Sequence, residues 1–287
     1  MTAQADLEGP EAAAPEFEPT TSALHPGSVL GKAHLLLGAF ASGVTCLGLT
    51  ELSRRSGVPK ATAHRLGSEL VRLGYLARTA KGYQLGWRIF ELGQLVPGPA
   101  SLRTVARPAL LDLRAVTQAV IHLAVPQGTD CVYLERLAGR REAALVSLVG
   151  SRVPGLLTAS GRLFLAYGDD EKAVLAAPAP ATTDGTPAFG PSDVPALRAE
   201  FDQIRTRRWA EERERCVPGF KTFAVPIVYF GSDHVIAAVS ATVPVERRDD
   251  QQLVYALWAT AADISRGLHR GAVVPRPDPG SHVPAAG

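Results

Sequence analysis

The chain has 287 residues, 46% hydrophobic and 20% charged, with a formal net charge of +2; this suffices for a real core in one large or two ordinary domains and excludes a disordered, uniformly basic or uniformly acidic protein. Its three cysteines, Cys46, Cys131 and Cys216, lie far apart with no CxxC or Cys/His ligand spacing, which argues against a disulfide framework, a zinc site or any other metal and fits buried thiols of a cytoplasmic protein. No apolar run approaches the roughly eighteen residues of a membrane span, and the start of the chain lacks a basic stretch followed by an apolar one, so neither a membrane partner nor export is indicated.

Residues 1 to 27 hold five acids and no Lys or Arg and show no helical or strand period, the pattern of a disordered acidic tail. From Ser28 to Phe40 an apolar stripe of Val29, Ala33, Leu36, Leu37 and Phe40 predicts a helix. The stretch Leu49 to Gly86 then reads as two helices and a hairpin. A helix is expected from Thr50 to Ser56, with the Thr50 hydroxyl as its cap. Gly57 suits the left-handed position past its end, and Pro59 the first turn of a second helix from about Lys60 to Leu73. On that second helix Ala63, Leu66, Leu70 and Leu73 share one side, while Ala61, His64, Arg65, Ser68 and Arg72 share the other. The hairpin arms are Tyr75 to Arg78 and Gly82 to Leu85, with Lys81 at the tip, and Leu47 to Leu49 is expected to pair with it as a short strand. This is the layout of a winged helix-turn-helix over residues 28 to 86.

Between Ser28 and Gly93 there are nine Lys or Arg against three Glu, a net of +6, so the near-neutral total conceals a basic module. Clustered positive charge is the footprint of phosphate binding by counterion release. An apolar-backed helix facing outward with small, cationic and hydroxylic groups can enter a major groove, where arginine reads guanine. The same face on a lone helix would be an ordinary solvated one; the turn before it and the wing after it favour double-stranded DNA as the partner.

Trp87 to Leu95 predicts a connecting helix, and Pro97-Gly98-Pro99 a boundary closing a linker over residues 87 to 99. Leu102, Val105, Leu110, Leu113 and Val116 continue helically, with a kink or restart expected at Pro108. The period then becomes two. Val120 to Val125 and Cys131 to Arg136 form a hairpin, Ala143 to Val149 a third strand, and Thr222 to Phe230 with Val235 to Val243 a second hairpin turning at Gly231-Ser232-Asp233. Helices are expected near 160–167, 170–177 and 193–207 and from Asp249 to His269, where Leu253, Leu257, Ala261, Ile264 and Leu268 share one side. Hairpins with helices between them indicate an α+β domain over residues 100 to 270, an antiparallel sheet with helices packed on it. Residues 271 to 287, with four prolines, read as a loose tail.

The segments LTELSRRSGVPKATAHRL, YQLG, IHLAV with VYLER, VGSRVP with TASGR, PGFKTFAVPI and DISRGL resemble, in order and spacing, the IclR family of bacterial transcription regulators, from about Ser28 to Leu268. The resemblance implies a winged helix-turn-helix, a connecting helix used in dimerisation, and a GAF-like domain that binds a small effector, usually an organic acid. It implies a homodimer or homotetramer that represses or activates a catabolic operon, with no cofactor and no catalytic residue. Carried over by motif, the DNA contacts are Lys60, Thr62, His64 and Arg65 on the recognition helix, with Arg54, Arg78 and Lys81 on phosphates. The effector residues are Ala159 and Ser160 at a helix start, Glu212, Thr222, and Ser240 and Thr242 on a central strand; backbone N–H groups at a helix N-terminus with nearby hydroxyls suit a carboxylate. Leu156 and Leu157 beside them favour an apolar ligand, and the GR of TASGR is similar to the branch that senses aromatic acids.

The chain departs from the family pattern at Ala61, where Ser is usual, and at Gly67, where Leu is usual and where Gly costs the helix up to about 1 kcal/mol against Ala. It also has Leu156 for a frequent His and Thr222 for a frequent Cys. Two rival readings remain. In one, the C-terminal domain is an enzyme using His122, Cys131, Ser160 or Asp233, although no G-x-S-x-G elbow, paired carboxylates or metal spacing supports it, and His122, alternating with Val120 and Ala124, reads as a packed strand residue. In the other, the winged helix makes only protein contacts, against which the excess of positive charge argues.

Overall fold

The computed structural model describes residues 27–41, 43–139, 148–168, 193–229 and 232–270. The acidic tail up to residue 26, the expected strand at 143–147, the expected helix at 170–177, Gly231 of the second hairpin's turn, and the tail from 271 lie outside the described residues.

The first module contains α1 (Val29–Gly38), α2 (Leu49–Ser56), α3 (Lys60–Arg72), β1 (Leu76–Thr79) and β2 (Gly82–Leu85). Ser28 caps α1 by accepting from the Gly31 amide at 2.9 Å. The cap expected from Thr50 is not used: α2 begins one residue earlier, with Gly48 at its cap position and no side-chain cap hydrogen bond. Gly57 closes α2 with φ 66°, the left-handed conformation that a glycine adopts without Cβ strain. Leu36, Leu52, Val58, Ala63, Leu66, Leu70, Leu76 and Tyr83 form the small core of this module. Leu73 does not complete the stripe of α3; it follows the helix end and is 54% exposed. The expected strand before α2 is a single bridge, Leu47 to Tyr83, with N–H···O bonds of 2.9 and 2.8 Å.

Next come α4 (Trp87–Gln94) and α5 (Pro99–Thr117). α4 buries no residue. α5 does not restart at Pro108: Leu102 and Ala106 before it and Leu110 and Leu113 after it are all buried, so packing outweighs the backbone bond that proline cannot donate. Val116, expected on this stripe, is 80% exposed, and Ala106 and Thr117 take the buried positions instead.

The second module is built on a six-stranded antiparallel sheet of β3 (Val120–Gln127), β4 (Asp130–Leu137), β5 (Arg152–Pro154), β6 (Ala210–Arg213), β7 (Phe220–Val228) and β8 (Val235–Pro244), in the order β5-β4-β3-β8-β7-β6. Both expected hairpins are present, joined edge to edge along β3 and β8. The sequence reading lacked β5 and β6, which are three and four residues long, too short to display a period. One face of the sheet carries Ile121, Leu123, Phe223, Val225, Ile227, Val239, Ala241 and Val243 against α5 and the long final helix α8 (Asp250–Arg270). All five residues expected to line α8 are buried there. The other face is covered by α6 (Ala159–Tyr167) and α7 (Val194–Arg207), through Leu163, Phe164, Leu197, Phe201 and Ile204.

Charged groups fasten the helices at the rim. Glu135 of β4, 7% exposed, receives Arg103 Nε at 3.2 Å and Arg107 Nη1 at 2.8 Å from α5. Lys221, 2% exposed, bonds the Arg247 carbonyl at 2.6 Å and pairs with Asp250 at the start of α8 at 2.5 Å. Leu257 of α8 is completely buried against the sheet. Leu257→Ala is expected to destabilise the chain by about 2–5 kcal/mol in urea unfolding, the cost of a buried leucine truncation.

Candidate functional site

The outward face of α3 is assembled as the sequence predicts. Lys60, Ala61, His64, Arg65, Ser68 and Arg72 are exposed and Thr62 is half-buried, while Ala63, Leu66 and Leu70 are buried behind them. Lys81 is exposed at the wing tip, where its amide donates to Thr79 Oγ1 at 3.2 Å and tightens the turn. Arg54 stands apart from this set on α2, paired with Glu51 at 2.6 Å; Glu51 also takes Arg55 at 2.7 Å. Hydrogen bonds from these two guanidiniums hold the Glu51 carboxyl at about 2, so the pairing persists at any physiological pH.

Two wing features were not legible in the sequence. Arg78, expected only as a phosphate contact, donates from Nη1 to the hydroxyl of Tyr83, its cross-strand partner, at 2.8 Å. Gly67, read as a weakness of the helix, faces the same ring: a Cβ built there would lie 3.2 Å from Tyr83 Cε1 and Cζ. The glycine therefore admits the tyrosine. Its cost in helix propensity is offset by a ring that is 1% exposed.

In the second module a band of polar groups lies on the sheet face beneath α6. Side chains alternate along strands, so register fixes which of them share it. Ser240 pairs with His122 on one side and Ala224 on the other; Thr242 pairs with Thr222, which pairs with Glu212. Four of the predicted residues, Glu212, Thr222, Ser240 and Thr242, thus fall on one face, with the Thr222 and Thr242 hydroxyl oxygens 2.9 Å apart. Above them Ala159 begins α6 and packs in one buried cluster with Ala124, Ala224 and Ala238. Ser160 is 1% exposed. The cap of α6 is Thr158, whose Oγ1 accepts from the Gly161 amide at 3.0 Å. That position could have been found, since threonine just before a helical run is a capping signal.

His122 is a packed strand residue, but it packs on the polar band. Its ring lies 4.7 Å from that of Tyr133, and burial, aided by the charge of Arg136, depresses its pKa to about 3, so it is a neutral imidazole. Burial pushes the Tyr133 phenol well above its usual range and the Cys131 and Cys216 thiols up to about 11 and 12. Tyr133, Cys131 and Cys216 also border this site; the sequence offered Tyr133 only as a strand residue, Cys216 as a buried thiol, and Cys131 as a buried thiol or a group of the enzyme reading. Leu156 and Leu157 are buried beside it in a 3-10 turn.

Glu212 is 4% exposed, and its Oε1 accepts from the amides of Arg215 and Cys216 at 2.5 and 3.0 Å. Desolvation dominates these bonds, and the Thr222 hydroxyl and Arg162 charge that also favour ionisation, and raises the carboxyl to about 7. Arg162 is committed elsewhere, to the Leu156 carbonyl at 2.8 Å and to Glu200. Hydroxyls, a neutral imidazole, a phenol and a protonatable carboxyl gathered on one buried face are groups that can bond a small molecule with oxygen functions. Among the described residues no group of His, Cys, Asp and Glu is arranged to hold a metal ion, and no helix is long and apolar enough to cross a membrane.

Residues 29–80 match the family model described as the IclR helix-turn-helix domain, and residues 98–266 match the one described as bacterial transcriptional regulator IclR C-terminal. The HTH-type transcriptional regulator XynR of Escherichia coli is 32% identical over 221 residues, covering 76% of this chain and 86% of the relative. The Pca regulon regulatory protein of Pseudomonas putida is 27% identical over 247 residues, covering 83% of each chain. An IclR homolog from Microbacterium hydrocarbonoxydans, solved in complex with 4-hydroxybenzoate, superposes with a TM-score of 0.73 at 28% identity, covering 85% of this chain and 100% of that one.

The raised pKa of Glu212 has a thermodynamic sign. The folded value of about 7 exceeds the ordinary 4.5, so its contribution to stability is fully present below about pH 4.5 and is lost as pH rises through about 7. Glu212→Gln lacks this loss. Between pH 5 and 8 urea unfolding is expected to show wild type losing about 2–3 kcal/mol relative to the variant.

Proposed function

Given that this chain belongs to the IclR family of bacterial transcriptional regulators, we propose that it binds an operator in double-stranded DNA through α3 and its wing, with an affinity set by a small organic acid held beneath α6. The observation that carries the DNA half is the exposed row Lys60, Ala61, His64, Arg65 and Ser68 over a buried apolar back. In this reading Lys60, Thr62, His64 and Arg65 seat the helix in the major groove, and Arg54, Arg78 and Lys81 fix phosphates.

The ligand half rests on Glu212, Thr222, Ser240 and Thr242 converging on one buried face under Ala159 and Ser160. The similarity to a homolog solved with 4-hydroxybenzoate, and to a regulator of a Pca regulon, supports an aromatic acid and a catabolic operon. Exposed apolar side chains on α1, on α4 and just past its end, among them Leu30 at 82%, Trp87 at 78% and Leu95 at 75%, support a homodimer, or a homotetramer made of two, that presents paired reading heads in the cytoplasm. Effector binding changes the placement of those heads, because a ligand shifts an equilibrium only through differential affinity for its two states. Chemistry at this site is disfavoured: burial leaves His122 a neutral, weakly basic imidazole and Cys131 a thiol at neutral pH, and Asp233, with a side chain 99% exposed, pairs with Arg208 at the surface.

The test is a mobility shift on DNA upstream of the protein's own gene at fixed salt, with and without a panel of aliphatic and aromatic carboxylic acids. One acid is expected to alter a specific shift, and Lys60→Ala with Arg65→Ala to abolish it while the oligomer persists in light scattering. Unchanged duplex binding by that double variant would transfer the winged helix to protein contacts. Lys81→Ala is expected to reduce the slope of log affinity against log salt by about one. An anionic effector beside Glu212 binds best when that carboxyl is protonated, so calorimetry should show its affinity falling up to about tenfold per pH unit above 7. Glu212→Gln should flatten that dependence.

A further inference from the structure

The wing is fixed to the recognition helix through one side chain. Tyr83 is held three ways: its backbone N–H and C=O bridge to Leu47 at 2.8 and 2.9 Å, its ring lies in the space left by Gly67 on α3, and its hydroxyl accepts from Arg78 Nη1 at 2.8 Å. The Arg78 guanidinium carbon stands 4.9 Å from the centre of the Tyr83 ring. The phenol takes one donor of a planar five-donor fork and its face supports the cation, so the remaining N–H groups are presented in a set orientation. Arg78 is exposed, and Tyr83 is 1% exposed; the one can touch DNA and the other cannot.

We propose that Tyr83 is a positioning residue for DNA recognition, which sets the wing against α3 and aims the Arg78 guanidinium at the phosphate backbone, and that Gly67 is the residue that admits it. This rests on the reading of Arg78 as a phosphate contact. It explains why a glycine stands in the middle of a recognition helix whose other buried positions are Ala63, Leu66 and Leu70. A larger residue at 67 would displace the ring, and with it the hydroxyl that orients the arginine. An alanine there improves the helix, yet it places a methyl group 3.2 Å from ring carbons, tighter than ordinary contact.

The experiment compares full-length wild type with Tyr83→Phe, Arg78→Ala, the double variant and Gly67→Ala, measuring affinity for operator DNA over a salt series together with the melting temperature. Tyr83→Phe keeps the ring and deletes only the hydroxyl. It should weaken binding about three- to tenfold, in the lower part of the range of coupling between contacting side chains, with the melting temperature near that of wild type. Arg78→Ala should weaken binding and lower the salt slope by about one. The double variant should bind no more weakly than Arg78→Ala alone, and Gly67→Ala should lose affinity without losing thermal stability. Wild-type affinity for Tyr83→Phe beside a weakened Arg78→Ala, or additive losses in the double variant, would overturn the positioning role and leave Arg78 as a contact. Wild-type affinity and slope for Arg78→Ala would overturn the contact itself, and the positioning role with it.

Discussion

The pairing of β3 with β8 is the constraint on which the second module depends. Each strand belongs to a hairpin that could form locally, but only their edge-to-edge union, from Val120 opposite Thr242 to Ala124 opposite Ala238, makes one continuous six-stranded surface. Strand alternation then sorts every side chain at once. A slip of one residue would turn one hairpin over relative to the other, sending Ser240 and Thr242 of β8 toward α5 and α8 and Val239 and Ala241 toward α6 while β3 kept its faces. The dry face and the polar face are two results of a single register.

That division explains how a face with buried polar groups is maintained. The apolar side, with Leu257, Phe223 and Val225 completely or almost completely buried, supplies the cohesion, so the opposite side can carry groups chosen for other ends. Its polar groups largely satisfy one another: Thr222 with Thr242, Thr158 with the Gly161 amide, Glu212 with two loop amides. Neutralisation does the rest, since desolvation moves His122 and Glu212 in opposite directions and both toward the uncharged form. The Arg162 guanidinium is drawn off to Glu200 and a backbone carbonyl.

The helix-turn-helix was legible because its signals are local: a glycine at a left-handed turn, a proline at a helix start, apolar residues three and four apart. The hairpins were legible by their period. Where the reading failed, the cause was tertiary. Pro108 does not break α5 because Ala106 and Leu110 are buried on either side of it, and Gly67 was judged by propensity when its role is set by Tyr83, sixteen positions later in the chain. Strands β5 and β6 are too short to carry a pattern. The candidate effector residues were placed by resemblance, and no spacing rule would have joined Glu212 to Thr222 and Ser240, which become neighbours only through register. Tyr133 and Cys216 stand in no motif or spacing that marks a site, so nothing in the sequence signalled the one they border.

The pairing of Glu135 with Arg103 and Arg107 ties the sheet to the helix that follows the winged module. Glu135 and Arg136 are consecutive, yet they face opposite sides of β4: the glutamate opposite Leu123 grips α5, and the arginine opposite His122 lies on the face of the polar band. The gripped part of α5 is its first half, the end that leads back to the winged helix. A single peptide unit therefore joins the polar face beneath α6 to the clamp on α5. The two faces of the sheet share one backbone, so no layer of core lies between the buried polar band and the ion pairs that hold the helix.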